Sequence, residues 1–272
     1  MSLDGQETFI SHLIELRDRL LRAAIAWIVL FIALFPFAND LYTLLAQPML
    51  AKLPQGGQMI ATEVVTPFFV PIKVAMMTAF LGSLPVILYQ VWSFVAPGLY
   101  AHERKFILPL VVASLFLFAL GMAFAYFLVF PVVFGFIIGI APEGVAVMTD
   151  INKYLDFVLT TFIAFGLTFE VPIVVIALAL MGLVQVEKFR EARPYVIVGA
   201  FVIAAVVTPP DVISQFMLAV PLWVLYELGV VIAAWLVKNR PAPAAEEAYT
   251  PLTGDEMDAE LDRIEEEQKK LN

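Results

Sequence analysis

The longest stretch without an acidic or basic residue covers residues 106–142, and it rules out a water-soluble fold. As one α-helix these 37 residues would be roughly 55 Å long at about 1.5 Å per residue, whereas the hydrocarbon core of a bilayer is about 30 Å thick. The helix must tilt, bend at Pro109 or Pro131, or project beyond the bilayer. Charged residues make up only 15% of the chain, against about 25% in soluble proteins, so this is a membrane protein.

Five further charge-poor runs bring the number of candidate spans to six. They cover residues 23–38, 64–102, 157–186, 194–210 and 212–237. The apolar core of the fifth run, residues 195–207, would be about 20 Å long as a helix, too short for an unperturbed bilayer. We therefore predict an all-α polytopic membrane protein with six spans, the fifth and sixth helices short and paired as a hairpin. In the turn TPPD between them, Asp211 is suited to cap the sixth helix.

Basic residues fix the predicted orientation. An even number of spans puts both termini on one side of the membrane, and cytoplasmic segments carry an excess of Lys and Arg. The segments that would then be cytoplasmic hold Arg17, Arg19, Arg22, Arg104, Lys105, Lys188, Arg190, Arg193, Lys238 and Arg240, whereas the opposite loops hold Lys52 and Lys153. Both termini are predicted to be cytoplasmic.

Three regions follow from this pattern. Residues 1–22 form an amphipathic cytoplasmic segment, residues 23–237 the transmembrane domain, and residues 238–272 an acidic cytoplasmic tail. The tail accounts for most of the net charge of −9, so the low pI does not describe the core. Pro48 belongs to an outer segment, residues 39–67, that is predicted to form an ordered, amphiphilic extracytoplasmic cap.

Several kinds of chemistry are absent from the sequence. The chain has no cysteine and no phosphate-binding glycine loop of the Walker type, which argues against thiolate metal sites and nucleotide hydrolysis. Both histidines, His12 and His102, lie in predicted cytoplasmic segments, so an embedded haem with paired histidines and an intramembrane serine protease are excluded. We expect no enzymatic activity, cofactor, metal or nucleic-acid partner.

Two acidic residues lie within the predicted spans. Glu170 is the only charge in residues 157–186 and falls near the bilayer midplane, where an ionised side chain is costly and usually functional. A protonated glutamate bonded to a neighbouring helix is the alternative. Glu227 is either a second embedded functional acid or a residue that an early helix end leaves near the interface.

Two more carboxylates are predicted to lie at the cytoplasmic surface at nearly one height. Glu15 is on the amphipathic segment before the first span, and Glu103 follows the Pro97-Gly98 break that ends the second span. An ionised carboxylate accepts two hydrogen bonds from the planar guanidinium of arginine, so the two acids suggest a clamp for an arginine pair. Pairing of each acid with its own basic neighbours is the competing interpretation.

Two motifs resemble those of the TatC family, the large membrane subunit of the twin-arginine protein translocase. They are HLIELRDRL, residues 12–20, and FVAPGLYAHER, residues 94–104. The resemblance extends over residues 9 to about 237 and includes Pro48, Glu170 and the TPPD turn. The acidic tail lies outside the family pattern.

The resemblance implies a concave, glove-shaped bundle of six helices in the bacterial cytoplasmic (inner) membrane that acts as a receptor for twin-arginine signal peptides. The apolar part of the signal would run along the bundle toward Glu170. Single-span subunits of the TatA and TatB kind would dock on the fifth and sixth helices, the receptor would associate with itself, and folded cargo would cross at the expense of the proton-motive force. The implied signal-peptide-binding residues are Glu15, Arg17, Phe94, Leu99 and Glu103.

Two rival functions remain open at this point. A proton-coupled small-molecule carrier would also use a midplane acid such as Glu170, but carriers usually show internal repeats with paired broken helices, and no matching half-repeat is apparent. An intramembrane hydrolase would need a nucleophile and base that the spans lack.

Overall fold

The structure is a computed structural model of the 272-residue chain. It describes residues 3–51, 58–95, 107–140, 148–208, 211–239 and 257, with residues 3–10 and 107 as backbone only. The chain divides after Trp235 into two compact units, residues 1–235 and 236–272. The described part of the second unit is the end of the last long helix together with Met257, which is helical and exposed.

The described residues form nine α-helices, and their only β-structure is one isolated bridge. The helices are α1 (Leu3–Leu34), α2 (Ala38–Leu50), α3 (Thr66–Val95), α4 (Ile107–Phe124), α5 (Phe130–Gly139), α6 (Ile151–Leu180), α7 (Val186–Glu191), α8 (Arg193–Val207) and α9 (Val212–Lys238). We call the end of the bundle that carries residues 11–22 the inner end and the end that carries α2 the outer end.

Five helical segments of the described chain are long and apolar enough to cross a membrane. They are Ser11–Leu50, Thr66–Val95, Leu108–Gly139, Ile151–Leu180 and Val212–Lys238. With the shorter apolar helix α8 they correspond to the six predicted spans, and the all-α polytopic membrane fold is confirmed.

The two helices of the predicted short hairpin differ in length. The fifth span, α8, has 15 residues, as predicted. The prediction of a short sixth helix is wrong, because α9 has 27 residues, about 40 Å at about 1.5 Å per residue. α9 does not end early near Glu227, because the helix continues to Lys238. The Glu227 carboxylate pairs with Arg193 at the start of α8.

The long uncharged run is interrupted where one of its prolines lies. Between α4 and α5 the residues Ala125–Val129 form a π-helical turn, and Pro131 stands in the first turn of α5. Proline has no N–H to donate to the preceding turn, and π turns inside helices accommodate such a missing bond. Of the two predicted bend sites, Pro131 is therefore the one at which the helix departs from α geometry.

Aromatic rings pack α5 against α6 in the outer half of the bundle. Phe130 is fully buried, and its ring centroid lies 5.2 Å from that of Phe162, 5.6 Å from that of Phe134 and 6.0 Å from that of Phe157. Aromatic pairs are attractive at these separations in tilted and edge-on arrangements. Between helices in lipid such close packing replaces the hydrophobic drive that operates in water.

The predicted outer cap begins as helix α2, which contains Pro48. Because proline lacks an N–H, Pro48 leaves the carbonyl of Leu44, four residues earlier, without its helical donor. The Tyr126 hydroxyl donates to that carbonyl at 3.2 Å, and the Tyr154 hydroxyl donates to the Leu45 carbonyl at 2.6 Å. Tyrosines from the π turn and from α6 thus fasten α2 to the bundle.

Asp150 ties the two outer loops together at the start of α6. Its Oδ1 accepts the backbone N–H groups of Asn152 and Lys153 at 2.9 and 3.0 Å, and its Oδ2 accepts the N–H and hydroxyl of Thr62 at 3.0 and 2.6 Å. The Thr62 side-chain bond, followed by the backbone bonds, lowers the pKa of Asp150 to about 2. Two backbone bonds made by Ile60 complete the bridge.

Candidate functional site

Glu15 lies on the exposed inner part of α1 and forms an ion pair with Arg19. The guanidinium donates Nε–H and Nη2–H to the same oxygen, Oε1, at 2.9 and 2.6 Å. The Arg19 side chain is 20% exposed and that of Glu15 38% exposed. The other carboxylate oxygen, Oε2, has no hydrogen-bond partner among the described residues. Glu15 therefore pairs with a basic neighbour, as the competing interpretation has it.

His12 and Phe94 bring the inner ends of α1 and α3 together. Their rings stack with centroids 4.3 Å apart and planes inclined by 21°. His12 and Glu15 are three residues apart on one helix and are therefore neighbours on its surface, which places Glu15 one turn from the contact with Phe94. From Phe94 the chain continues toward Leu99 and Glu103, which lie outside the described residues.

The other two arginines of the segment, Arg17 and Arg22, form no ion pair with Glu15 among the described residues. Arg17 donates to Asp18 at 2.7 and 2.9 Å, and both side chains are exposed. Arg22 is exposed, and no ion pair of the described residues includes it. Arg19 alone of the three covers the Glu15 carboxylate.

Glu170 is 8% exposed in the inner half of α6. Ten residues separate it from Leu180 at the inner end of the helix, about 15 Å at about 1.5 Å per residue. Its Oε1 atom is buried without a hydrogen-bond partner. Such an atom costs roughly 1–3 kcal/mol relative to a bonded one, and its retention needs an explanation.

Two glycines set the place where α4 crosses α6 beside Glu170. A Cβ atom on Gly121 of α4 would lie 2.5 Å from the Phe165 carbonyl oxygen, and one on Gly166 of α6 would overlap the Phe118 ring. Small residues allow such close crossings in membranes. Two turns before Gly121 on α4 and one turn after Gly166 on α6, the buried Ser114 side chain lies against the Glu170 carboxyl.

Trp92 connects this embedded acid to the inner surface. Its Nε1–H donates to the Ser114 hydroxyl oxygen at 2.9 Å, and both residues are buried. Two residues later on α3, Phe94 stacks on His12. The last turn of α3 therefore contacts the surface that carries Glu15 and also the environment of Glu170.

Glu227 lies at the inner part of α9 and is paired. Arg193 Nη2 donates to its Oε2 at 2.7 Å, and the two side chains are 44% and 26% exposed. The neighbouring Tyr226 hydroxyl donates to the Phe189 carbonyl of α7 at 2.7 Å. In the structure Glu227 is a partly exposed acid whose ion pair joins α8 and α9.

Asp211 caps α9 as predicted. Its Oδ1 accepts the Ser214 N–H at 2.7 Å, while its Oδ2 and the Ser214 hydroxyl are buried without partners.

Lys73 reaches the outer end of α6, where it donates to Asn152 and Asp156 at 2.8 and 2.7 Å.

Sequence reasoning missed several residues of these sites. Helical spacing could have placed His12 beside Glu15, and the small residues in the third and fourth spans were a signal for a close crossing. No sequence signal pairs a serine of one span with an acid of another. The missed residues are His12, Trp92, Ser114, Gly121 and Gly166.

Comparisons with known proteins match most of this chain to one family. Residues 11–221 match the family model described as Sec-independent protein translocase protein (TatC). The TatC protein of Escherichia coli K12 is 54% identical over 237 residues, which are 87% of this chain and 92% of the relative. The TatC protein of Aquifex aeolicus is 38% identical and covers 80% of this chain and 91% of its own length.

A solved structure matches the fold of this chain as well. The crystal structure of the twin-arginine translocase receptor TatC superposes with a TM-score of 0.75 at 37% identity, covering 83% of this chain and 99% of that one. Neither the sequence relatives nor the solved structure supports the rival function of a small-molecule carrier. The chain belongs to the TatC family of Sec-independent protein translocases and is a multi-pass membrane component of such a translocase.

Proposed function

We propose that this chain is the receptor subunit of a twin-arginine translocase and that Glu15 and Glu103 together bind the arginine pair of the signal peptide. The observation that carries the proposal is the His12–Phe94 stack, which lies one helical turn from Glu15, whose Oε2 is unbonded among the described residues. Arg17, Phe94 and Leu99 would line the same surface. The activity makes and breaks no covalent bond in the cargo.

The chemistry of the carboxylate suits this ligand. A guanidinium presents parallel N–H groups that match the two oxygens of a carboxylate, whereas the ammonium of lysine does not. The Glu15 side chain is partly shielded by its neighbours, so a charge-assisted bond to it should contribute about 1.5–3 kcal/mol, or about ten- to a hundredfold in affinity.

Glu170, α8 and α9 have separate parts in the proposal. The apolar part of the signal would extend along a concave face of the bundle toward Glu170, whose unpartnered oxygen would accept a donor from the signal or from a partner subunit. TatA- and TatB-type single-span subunits would pack on the short helix α8, where Val198, Val202 and Val206 are exposed, and on α9. Pro48 would be a structural residue of the extracytoplasmic cap.

The proposal also covers the membrane in which the protein lies and its orientation there. The protein would lie in the bacterial inner membrane with both termini and the acidic tail, residues 238–272, in the cytoplasm, following the basic residues of the inner segments. The domain would span residues 23–237 after a surface segment of residues 1–22. Receptors would associate with one another, and the proton-motive force would drive export of folded cargo.

Binding of a synthetic twin-arginine signal peptide to the detergent-solubilised full chain tests the receptor role. Glu15→Ala and Glu103→Ala should each weaken binding about ten- to a hundredfold, Glu15→Asp less, and Glu15→Lys most. Glu187→Ala, which removes an exposed acid of α7 at the same end, is the matched control and should bind as wild type. Unchanged affinity in both alanine variants and their double variant would mean that the signal is bound elsewhere.

A further inference from the structure

Arg19 already makes, within the chain, the contact that the proposed ligand would make. Its guanidinium donates two N–H groups to Glu15 Oε1, at 2.9 and 2.6 Å. Both N–H groups converge on one oxygen, so the pair is charge-assisted but leaves the second carboxylate oxygen outside it. The spacing also favours the pair, because an acid four residues before a base on one helix is the better of the two orders.

An incoming guanidinium therefore meets an occupied carboxylate. A bidentate arginine needs both oxygens of the acid, but only Oε2 of Glu15 is unbonded among the described residues. The ligand must displace Arg19 or accept a single bond beside a fixed positive charge. With 20% of its side chain exposed, Arg19 is held against the protein, so that it competes at a high effective concentration.

We propose that Arg19 is a built-in competitor for the signal peptide that raises the threshold for binding at Glu15. This inference rests on the proposed function of Glu15. A ligand with one arginine exchanges one guanidinium–carboxylate pair for another and gains little. A ligand with a second arginine gains a contact that Arg19 does not oppose, so the resident pair favours ligands that carry two.

The expected effect is moderate, because the pair is partly exposed. Removing Arg19 should raise the affinity for a twin-arginine peptide about two- to fivefold, which corresponds to roughly 0.4–1 kcal/mol. Exchange for lysine should raise the affinity less, since an ammonium keeps the positive charge and loses only the paired guanidinium N–H groups.

The test measures peptide binding to the solubilised full chain for Arg19→Gln and Arg19→Lys. Arg22→Gln is the matched control: it removes the same charge from the same helix, one turn beyond Arg19 and without a role at Glu15. We expect the affinity to rise in the order Arg22→Gln, Arg19→Lys, Arg19→Gln. Equal gains for Arg22→Gln and Arg19→Gln, or weaker binding by Arg19→Gln, would overturn the inference.

The Glu15→Ala background separates this inference from the proposed function. If Arg19 acts through Glu15, then Arg19→Gln should bring no gain in Glu15→Ala. Weakened binding by Glu15→Ala without any gain from Arg19→Gln would overturn the competitor alone. Wild-type binding by Glu15→Ala would overturn both.

Peptides with a single arginine give a second readout. Two peptides, each with one arginine of the pair replaced by glutamine, should respond differently to Arg19→Gln. Only the peptide that keeps the arginine bound at Glu15 should gain. Equal gains in both would show that Arg19 acts by general repulsion, and the inference would fail.

Discussion

Two carboxylates, one at the N-cap of α6 and one in its inner half, are treated by the protein in opposite ways. Asp150, at its outer start, accepts four hydrogen bonds shared between both oxygens. Glu170, twenty residues later, is buried with Oε1 unbonded. The first carboxylate closes the outer end of the bundle, whereas the second is left with a hydrogen-bonding capacity that the described chain does not use.

This difference separates an architectural acid from one that is available to a ligand. A buried polar atom without a partner makes the folded state less stable, so folding alone does not account for Glu170. The close crossing at Gly121 and Gly166 nevertheless sets Ser114 against this acid. The two acids should therefore respond oppositely to substitution, Glu170 in export and Asp150 in stability.

The largest effect on export is expected at Glu170. Glu170→Met fills similar space without a polar atom and should lower export of a folded reporter by about tenfold or more, the equivalent of one lost buried hydrogen bond. Its thermal stability should equal or exceed that of the wild type. Glu170→Gln keeps the hydrogen bonds without the charge, so its export rate shows which of the two is needed. Wild-type export by Glu170→Met would reduce Glu170 to a tolerated buried acid.

Substitution of Ser114 should lower export less than substitution of Glu170 does, and it should also lower stability. Ser114→Ala leaves the buried Trp92 N–H without its acceptor, which should destabilise the protein by about 1–3 kcal/mol. Adding Trp92→Phe removes the orphaned donor and should restore much of that stability, because both partners are then gone.

The export defect of Ser114→Ala should persist in the double variant if the serine acts by positioning Glu170. Export per folded molecule, measured beside the unfolding midpoint, separates the two effects. Recovery of export together with stability would assign Ser114 to packing alone.

Asp150 should affect stability with little change in export per folded molecule. Hydrogen bonds from Thr62 and from the start of α6 lower its pKa from 3.8 to about 2. A carboxylate whose pKa is lower in the folded state stabilises that state above its unfolded pKa, and the contribution is lost as the pH falls through the folded value.

Asp150→Asn should therefore melt below the wild type by a constant margin at pH 5–7 that shrinks between about pH 4 and pH 2. Melting curves in detergent across this range measure it, with the exposed acid Glu187→Gln as the control. A margin that does not change with pH would mean that the charge of Asp150 does not contribute.

The sequence predicted the parts of the fold and site that depend on local chemistry. Uncharged runs located the spans, the isolation of Glu170 singled it out, and the TPPD turn predicted the Asp211 cap. It failed where a partner lies far away in the chain. Arg193 is 34 residues from Glu227, so their ion pair could not be predicted, and the crossing that sets Ser114 beside Glu170 depends on which helices meet.

The smallest effect is expected at Glu227, an acid of α9 that has one partner and remains partly exposed. Ion pairs of this exposure contribute at most about 1 kcal/mol, and the two side chains are 26% and 44% exposed. Glu227→Gln and Arg193→Gln should each lower the melting temperature slightly, and the double variant should show a coupling below about 1 kcal/mol, because the pair is their shared contact. Export should stay within about twofold of wild type, the equivalent of roughly 0.4 kcal/mol. A large export defect in Glu227→Gln with Arg193→Gln unaffected would instead make Glu227 a functional acid comparable to Glu170, and a satisfied ion pair would no longer distinguish an architectural acid from a functional one.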